Sequence, residues 1–425
     1  MQRDAGLVRG IRKWDLVAFF INSVIGGGIF GLPSQAYALT GVYSIVAYLV
    51  CALLAALIVA CFAELGSRFS ATGGPYLFAR EAFGGLVGFE VGWLLWLARL
   101  TACAALCNLF LDYLTYLWPE AGSQPSRSLL IAAIVVAITV VNVAGVRAAA
   151  LFGDTFTIGK LAALLVFVVV GAFFVSPANY VVESPPDYRS FSTAALLLMF
   201  AFSGFEIPMI TAGETRDPRR QVPVALFVAL AVVLVLYVSI QIVCIGTLPG
   251  LAGSQRPLAD ATRLFLGAGG AVFITVGALI SAIGTLNASM LAAPRLLFAM
   301  AEEGQLPSAL ASTHPRLHTP HVAVLFTSGI VLALTLSGSF ISAVTMSAIT
   351  RLIVYAASCA AVPVLRRRSG VPAAGFVLRG GAFVPILALA LCVWLLSNSG
   401  ANEARTVGIA ALLGLALHLV FRRRS

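Results

Sequence analysis

Residues 15–39 read "DLVAFFINSVIGGGIFGLPSQAYAL". The hexapeptide "GGGIFG" at 26–31 spells G-x-G-x-x-G, the fingerprint of a loop that cradles a dinucleotide pyrophosphate. That meaning requires a preceding strand, a following helix and an acid about 20 residues further on. No Asp or Glu occurs between Asp15 and Glu64, and apolar sequence flanks the glycines on both sides. The alternative is an apolar membrane helix interrupted at mid-depth. Glycine costs roughly 1 kcal/mol in a helix interior and proline roughly 3. Gly26, Gly27 and Gly28, followed by Gly31 and Pro33, therefore predict a gap in the helix. Amides freed by a gap cannot face lipid; they line a cavity or hold a ligand.

The rest of the chain supports a membrane setting. Of its 425 residues 60% are hydrophobic and 10% charged, against roughly 45–50% and about 25% in soluble domains; mean hydropathy is +0.99. Apolar runs long enough to cross about 30 Å of hydrocarbon recur near 14–39, 42–66, 82–118, 128–146, 154–175, 191–213, 222–248, 269–301, 322–337, 340–365, 382–397 and 405–421. These runs predict an all-α polytopic membrane protein with twelve transmembrane helices. The ninth and eleventh runs are short, which leaves an eleven-span count open. Residues 1–13 are expected to form a cytoplasmic arm and 422–425 a basic cytoplasmic tail.

Lys and Arg set the orientation. With the N-terminus inside, 18 of the 27 fall in cytoplasmic segments and five outside (Arg127, Arg189, Arg256, Arg263 and Arg405). Both termini are then cytoplasmic in a plasma (bacterial inner) membrane. The net charge of +10 reflects this bias and calls for membrane lipids, not nucleic acid, as the partner of "RRRSG" (366–370) and "RRRS" (422–425).

Several motifs lead nowhere. All seven cysteines lie in apolar runs, which argues against a disulfide framework. The H-x₃-H-x₂-H run of His314, His318 and His321 reads as loop histidines; no metal site and no cofactor is expected. "GDTFTIGKL" (153–161) has five residues between its glycines where a Walker A loop has four, and Leu161 stands where Ser or Thr must meet magnesium. No catalytic constellation suggests an enzyme.

A second interruption carries more weight. Span 6 contains "LLLMFAFSGFEIPMITAGE" (196–214), in which Ser203, Gly204 and Pro208 weaken the helix and Glu206 lies within the weak point. Five spans separate the two gaps, and the two host spans run in opposite directions. Interrupted segments at matching positions of inverted repeats mark the midplane site of a transporter.

These residues resemble the amino acid–polyamine–organocation (APC) superfamily. The resemblance rests on "NSVIGGGIFGLP" (22–33), "ELGSRFSATGGPYLFAREAFG" (64–84), "FAFSGFEIPMITAGETRDPRRQVPVAL" (200–226) and "APRLLFAMAEEGQLP" (293–307), although Ser70-Ala71 replaces the usual Pro-Glu. It implies a LeuT-like fold: one inverted repeat over 14–175 (helices 1–5), a second over 191–365 (helices 6–10), and accessory helices 11–12 over 382–421. It implies an amino acid as substrate, less often an amine, moved by alternating access. A sensor of the same fold that binds without net transport is the competing class.

The chemistry suits a zwitterion. Amides of Gly27, Gly28 and Ile29, at the start of the outer half of helix 1, offer the positive end of a helix dipole to a carboxylate. Glycine at 26–28 lets that group approach the backbone. Carbonyls of Ile25, Phe202, Ser203 and Phe205, around the flexible Gly204, can accept from the ammonium. By resemblance Phe200 is an aromatic lid over the substrate; packing is the plain alternative. Glu206 is read as a gating or proton-linked acid, or as a structural one. Lys160 corresponds to a helix 5 lysine that takes the place of a sodium ion. It would then bridge the carbonyls around Ile25 and helix 8 at Ser281, unless it simply snorkels to the headgroups. That role disfavours sodium symport and leaves proton symport or exchange. Arg295 is expected at the inner gate and Arg351 near the inner end of helix 10. Arg99 is expected to pair with Glu90 or Asp112, or to line the substrate path, where it would disfavour cations.

Overall fold

A computed structural model describes residues 12–422 apart from 70–72, 145–152, 183, 211–214 and 216. Most of the expected N-terminal arm, the end of the basic tail and the Ser70-Ala71 substitution lie outside the described residues. The chain is helical along its length. Helix α1 (Lys13–Val24) and α2 (Gly28–Thr40) are the two halves of the first span, followed by α3 (Ser44–Arg68), a short α4 (Gly74–Phe83), α5 (Gly85–Leu114), α6 (Ser126–Ala144) and α7 (Gly153–Gly171). The second interrupted span is α8 (Tyr188–Ala201) and α9 (Glu206–Ile210). Then come α10 (Pro218–Thr247), α11 (Pro257–Glu302), α12 (His321–Ser337), α13 (Phe340–Arg367), α14 (Phe383–Ser397) and α15 (Ala401–Arg422). Among the described residues, seven helical segments are long and apolar enough to cross a membrane, and three shorter apolar helices accompany them.

Both interruptions fall where the glycines place them. The first occupies residues 25–27, and α2 then runs on through Gly31 and Pro33. Pro33 lies in the second turn of α2, where it removes one internal hydrogen bond but does not end the helix, so the gap is narrower than the glycine and proline count suggests. The second occupies residues 202–205. Gly204 takes φ +111°, a region that residues with a Cβ rarely enter. Pro208 stands in the first turn of α9, where a missing amide proton is tolerated.

Helix α1 packs on α9, and α2 on α8. The interrupted spans therefore lie antiparallel, the first half of each beside the second half of the other. Helix α5 is the most enclosed, packed against α11, α12 and α13, while α10 lies against α1 and α3. Large apolar side chains such as Leu53, Leu129, Val235 and Phe383 are exposed on the outer surfaces. An aqueous protein would bury these; a lipid belt covers them.

Charges gather at the ends of the bundle. At the N-terminal face, where α1 begins and α3, α11 and α13 end, Arg366 grips Glu64 through two bonds of 2.7 and 2.5 Å. The Leu378 amide adds a third at 2.9 Å. Arg80 pairs there with Glu303 at 3.1 Å. At the opposite face Arg127 pairs with Asp112 and Arg256 with Asp260, at 3.0 and 3.2 Å.

Candidate functional site

The two gaps touch. A Cβ on Gly204 would strike the Ser23 carbonyl oxygen and come within 3.4 Å of the Val24 Cα; one on Gly28 would lie 3.1 Å from the Ala201 Cα. Glycine at both positions is thus a condition of close backbone approach. Tyr237 of α10 holds the junction, its hydroxyl shared between the Val24 carbonyl at 3.2 Å and the Ala201 carbonyl at 3.3 Å. Val24 and Ala201 are the last residues of α1 and α8, so one hydroxyl caps both half-helices.

Around the first gap, Ile25 and Gly26 amides bond back to Ile21 and Val24 carbonyls. Among the described residues the amides of Gly27, Gly28 and Ile29 donate to nothing. They are orphan donors at the start of α2, where the helix dipole is positive. Lys160 of α7 is 4% exposed. Its ammonium donates to the carbonyls of Asn22 at 2.8 Å and Ile25 at 2.5 Å, a cation on the negative end of α1. Sequence placed Lys160 between Ile25 and Ser281. The Ile25 contact is present, but the Ser281 hydroxyl is buried without a partner among the described residues, and the Asn22 carbonyl takes its place. The Ile25 carbonyl, expected to receive a substrate ammonium, already accepts from Lys160.

Around the second gap, Ser203 Oγ folds back on the Phe200 carbonyl at 2.7 Å. Nothing among the described residues donates to the carbonyls of Phe202 and Ser203. The rings of Phe202 and Phe205 anchor the segment. Phe202 packs on Tyr48 and Tyr237, while Phe205 stacks on Tyr355 and meets Phe62 edge-on. Glu206 is completely buried. It accepts from the Gly204 amide at 3.0 Å, from Tyr355 at 2.7 Å and from Arg351 in an ion pair. With both oxygens engaged, its geometry is that of a structural acid bracing the gap. Arg351 was placed near the inner end of its helix; it instead reaches the second gap.

Two adjoining chambers lie on the N-terminal side of the gaps, sharing Phe19, Ile207 and Ala288. The smaller, about 90 Å³, is lined by Asn22, Ser23, Lys160, Ser281 and Thr285. The larger, about 650 Å³, extends past Arg99 and Arg295 to Tyr76 and Glu303. Its volume suits a small molecule, and its wall is largely apolar, with Arg99, Arg295, Tyr76 and Glu303 as its polar points. Tyr76 donates to Glu303 at 2.8 Å, and Gln305 donates to both. Burial, and then the neighbouring Glu303 carboxylate, hold the Tyr76 phenol above its ordinary pKa, so it stays a donor.

The residues of the gaps, 25–29 and 202–205, line neither chamber. The space beside them is filled: a Cβ on Gly27 would meet Leu106 and Leu109, and the Phe200 ring lies against Gly28. The polar floor of the smaller chamber comes instead from Asn22 and Ser23, one turn earlier, with Thr285 beside Gly26. Those two were legible as the only polar side chains between Asp15 and Ser34. Arg99 makes neither expected pair. Asp112 is held by Arg127, and Glu90 lies nine positions away, on the opposite face of the same helix. Arg295 donates to the Leu291 carbonyl and borders the larger chamber.

A family model described as amino acid permease matches residues 15–407. The chain is 29% identical over 441 residues to the methylthioribose transporter of Bacillus subtilis, covering 99% of this chain and 95% of that one. It is 27% identical over 449 residues to the branched-chain amino acid permease of the same bacterium, covering 99% and 94%. It is 29% identical over 423 residues to that bacterium's serine/threonine exchanger, covering 97% and 96%.

Proposed function

Because the chain belongs to the amino acid permease family of the APC superfamily, a family of membrane transporters and not of enzymes, we propose that it is a sodium-independent secondary transporter of amino acids. The observation that carries the proposal is Lys160. Its ammonium holds the Asn22 and Ile25 carbonyls at the first gap, supplying there the fixed positive charge that a bound cation would otherwise bring. Orphan amides of Gly27, Gly28 and Ile29 receive the substrate carboxylate, and the carbonyls of Phe202 and Ser203 receive its ammonium. Phe200 and the side chains packed on Gly27 must withdraw as substrate moves from the chambers to the gaps. That displacement is the local form of alternating access, with the segments 14–175 and 191–365 acting as inverted halves.

The membrane is the plasma (bacterial inner) membrane, with both termini cytoplasmic, as the Lys and Arg distribution favours. The chambers then face the cytoplasm. Glu206, braced by three donors, is a poor proton carrier, so exchange of one amino acid for another fits the site better than proton symport. One relative's name concerns methylthioribose, so substrate class must be tested directly. Purified protein in proteoliposomes is given a panel of labelled amino acids, with and without a pH gradient and with or without unlabelled amino acid inside. Uptake that requires internal amino acid supports exchange. Uptake driven by the pH gradient alone replaces exchange with proton symport, and binding without uptake under every condition overturns the transporter reading.

A further inference from the structure

Arg99 stands in the middle of α5 with 1% of its surface exposed. Neither Nη1 nor Nη2 has a hydrogen-bond partner among the described residues, and the side chain lines the larger chamber. Among the described residues, the carboxylates Glu206 and Glu303 are already occupied. Glu206 is held by Arg351, Tyr355 and the Gly204 amide, and Glu303 by Arg80 and Tyr76. Since Glu206 and Arg351 cancel one another, the buried cluster of Arg99, Arg351 and Glu206 keeps one positive charge without a counter-ion among the described residues. A guanidinium in such a place requires an oxygen anion, and its planar fork matches a carboxylate through two parallel bonds.

We propose that Arg99 is the subsite for a second carboxylate on the substrate, so that the preferred cargo is an acidic amino acid. The inference rests on the amino acid transport proposed above and names its substrate class. With the α-ammonium and α-carboxylate at the gaps, beyond Asn22, Ser23 and Thr285, the substrate side chain lies toward the larger chamber, which Arg99 lines and which shares Phe19 and Ile207 with the smaller one. A neutral side chain there leaves the guanidinium unpaired. A cationic one adds a like charge to Arg99 and Arg295.

The test is competition in proteoliposomes, using glutamate against glutamine and aspartate against asparagine, pairs of nearly equal size. For the wild type the acid should compete about 10–100-fold better than its amide, the range for a charge-assisted, bidentate contact. In Arg99→Gln that ratio should fall toward one, and in Arg99→Lys part of it should survive. An amide that competes as well as its acid in the wild type overturns the proposal. So does an unchanged ratio in Arg99→Gln, the result expected if Arg99 only passes the α-carboxylate along the path. Should Arg99→Gln fail to fold, thermal stabilisation of the wild type decides: a larger shift with glutamate than with glutamine supports the subsite, and equal shifts refute it. Failure of every amino acid to compete overturns the amino acid reading itself, and this inference with it.

Discussion

Replacing Gly204 by alanine should damage the junction of the two interrupted spans. Two costs combine. The backbone at 204 has φ +111°, which for a residue with a Cβ costs about 1–3 kcal/mol. The new methyl would also strike the Ser23 carbonyl oxygen and lie 3.0 Å from the Ser23 carbonyl carbon. These are backbone atoms at the end of α1, so no rotamer change relieves the contact, and overpacking of that kind costs about 1–3 kcal/mol more. The total is about 2–6 kcal/mol. At roughly 2 °C per kcal/mol for a large chain, apparent Tm should fall about 4–12 °C in detergent, followed by intrinsic fluorescence. Gly329→Ala is the control: Gly329 lies inside α12, with open space where its Cβ would go. Alanine there should be neutral or stabilise by up to about 1 kcal/mol. Amino acid uptake by Gly204→Ala should be lost even below its Tm, because α1 must move away from α9. Equal Tm values for the two variants, or full uptake by Gly204→Ala, would refute the close approach of the gaps.

Three further predictions follow from the buried polar contacts. Glu206→Gln and Arg351→Met should each destabilise by about 3–5 kcal/mol, since each leaves a buried group unpaired; the double variant should be less harmful than their sum, measured as a double-mutant cycle on Tm. Tyr237→Phe removes one hydroxyl shared by two carbonyls and should cost only about 1 kcal/mol, seen as a small drop in Tm. Glu64→Gln should cost about 1–3 kcal/mol, since Arg366 loses its carboxylate but keeps the Gly381 and Leu378 carbonyls, and a Tm unchanged within error would show that the clamp contributes nothing.

How much of this was written in the sequence depends on the range of the interaction. Gly26–Gly28 and Gly204 announce gaps because glycine and proline act on their own backbone, and the gaps lie where those residues stand. Lys160 could be tied to the first gap only through family resemblance; its Asn22 partner lies 138 positions away, and no periodicity connects them. Arg351, expected near the inner end of its helix, lies near the middle of α13 (Phe340–Arg367), and its contact with Glu206, 145 positions away, is set by packing of α13 against α5 and α8. The expected bond between Lys160 and Ser281 failed because α1 ends in free carbonyls that compete for the ammonium, and Asn22 lies within reach. The gaps line neither of the two chambers because Leu106, Leu109 and Phe200, three apolar residues among many, fill the space beside them.

If Lys160 supplies the positive charge at the first gap, transport needs no sodium. The most direct test is the initial rate of amino acid uptake into proteoliposomes, with internal amino acid present, in sodium and in choline media for wild type and Lys160→Ala. Equal wild-type rates in the two media, with uptake abolished in Lys160→Ala, are the predicted result. A wild-type rate that collapses in choline, or a Lys160→Ala variant that transports as well as wild type, would contradict it.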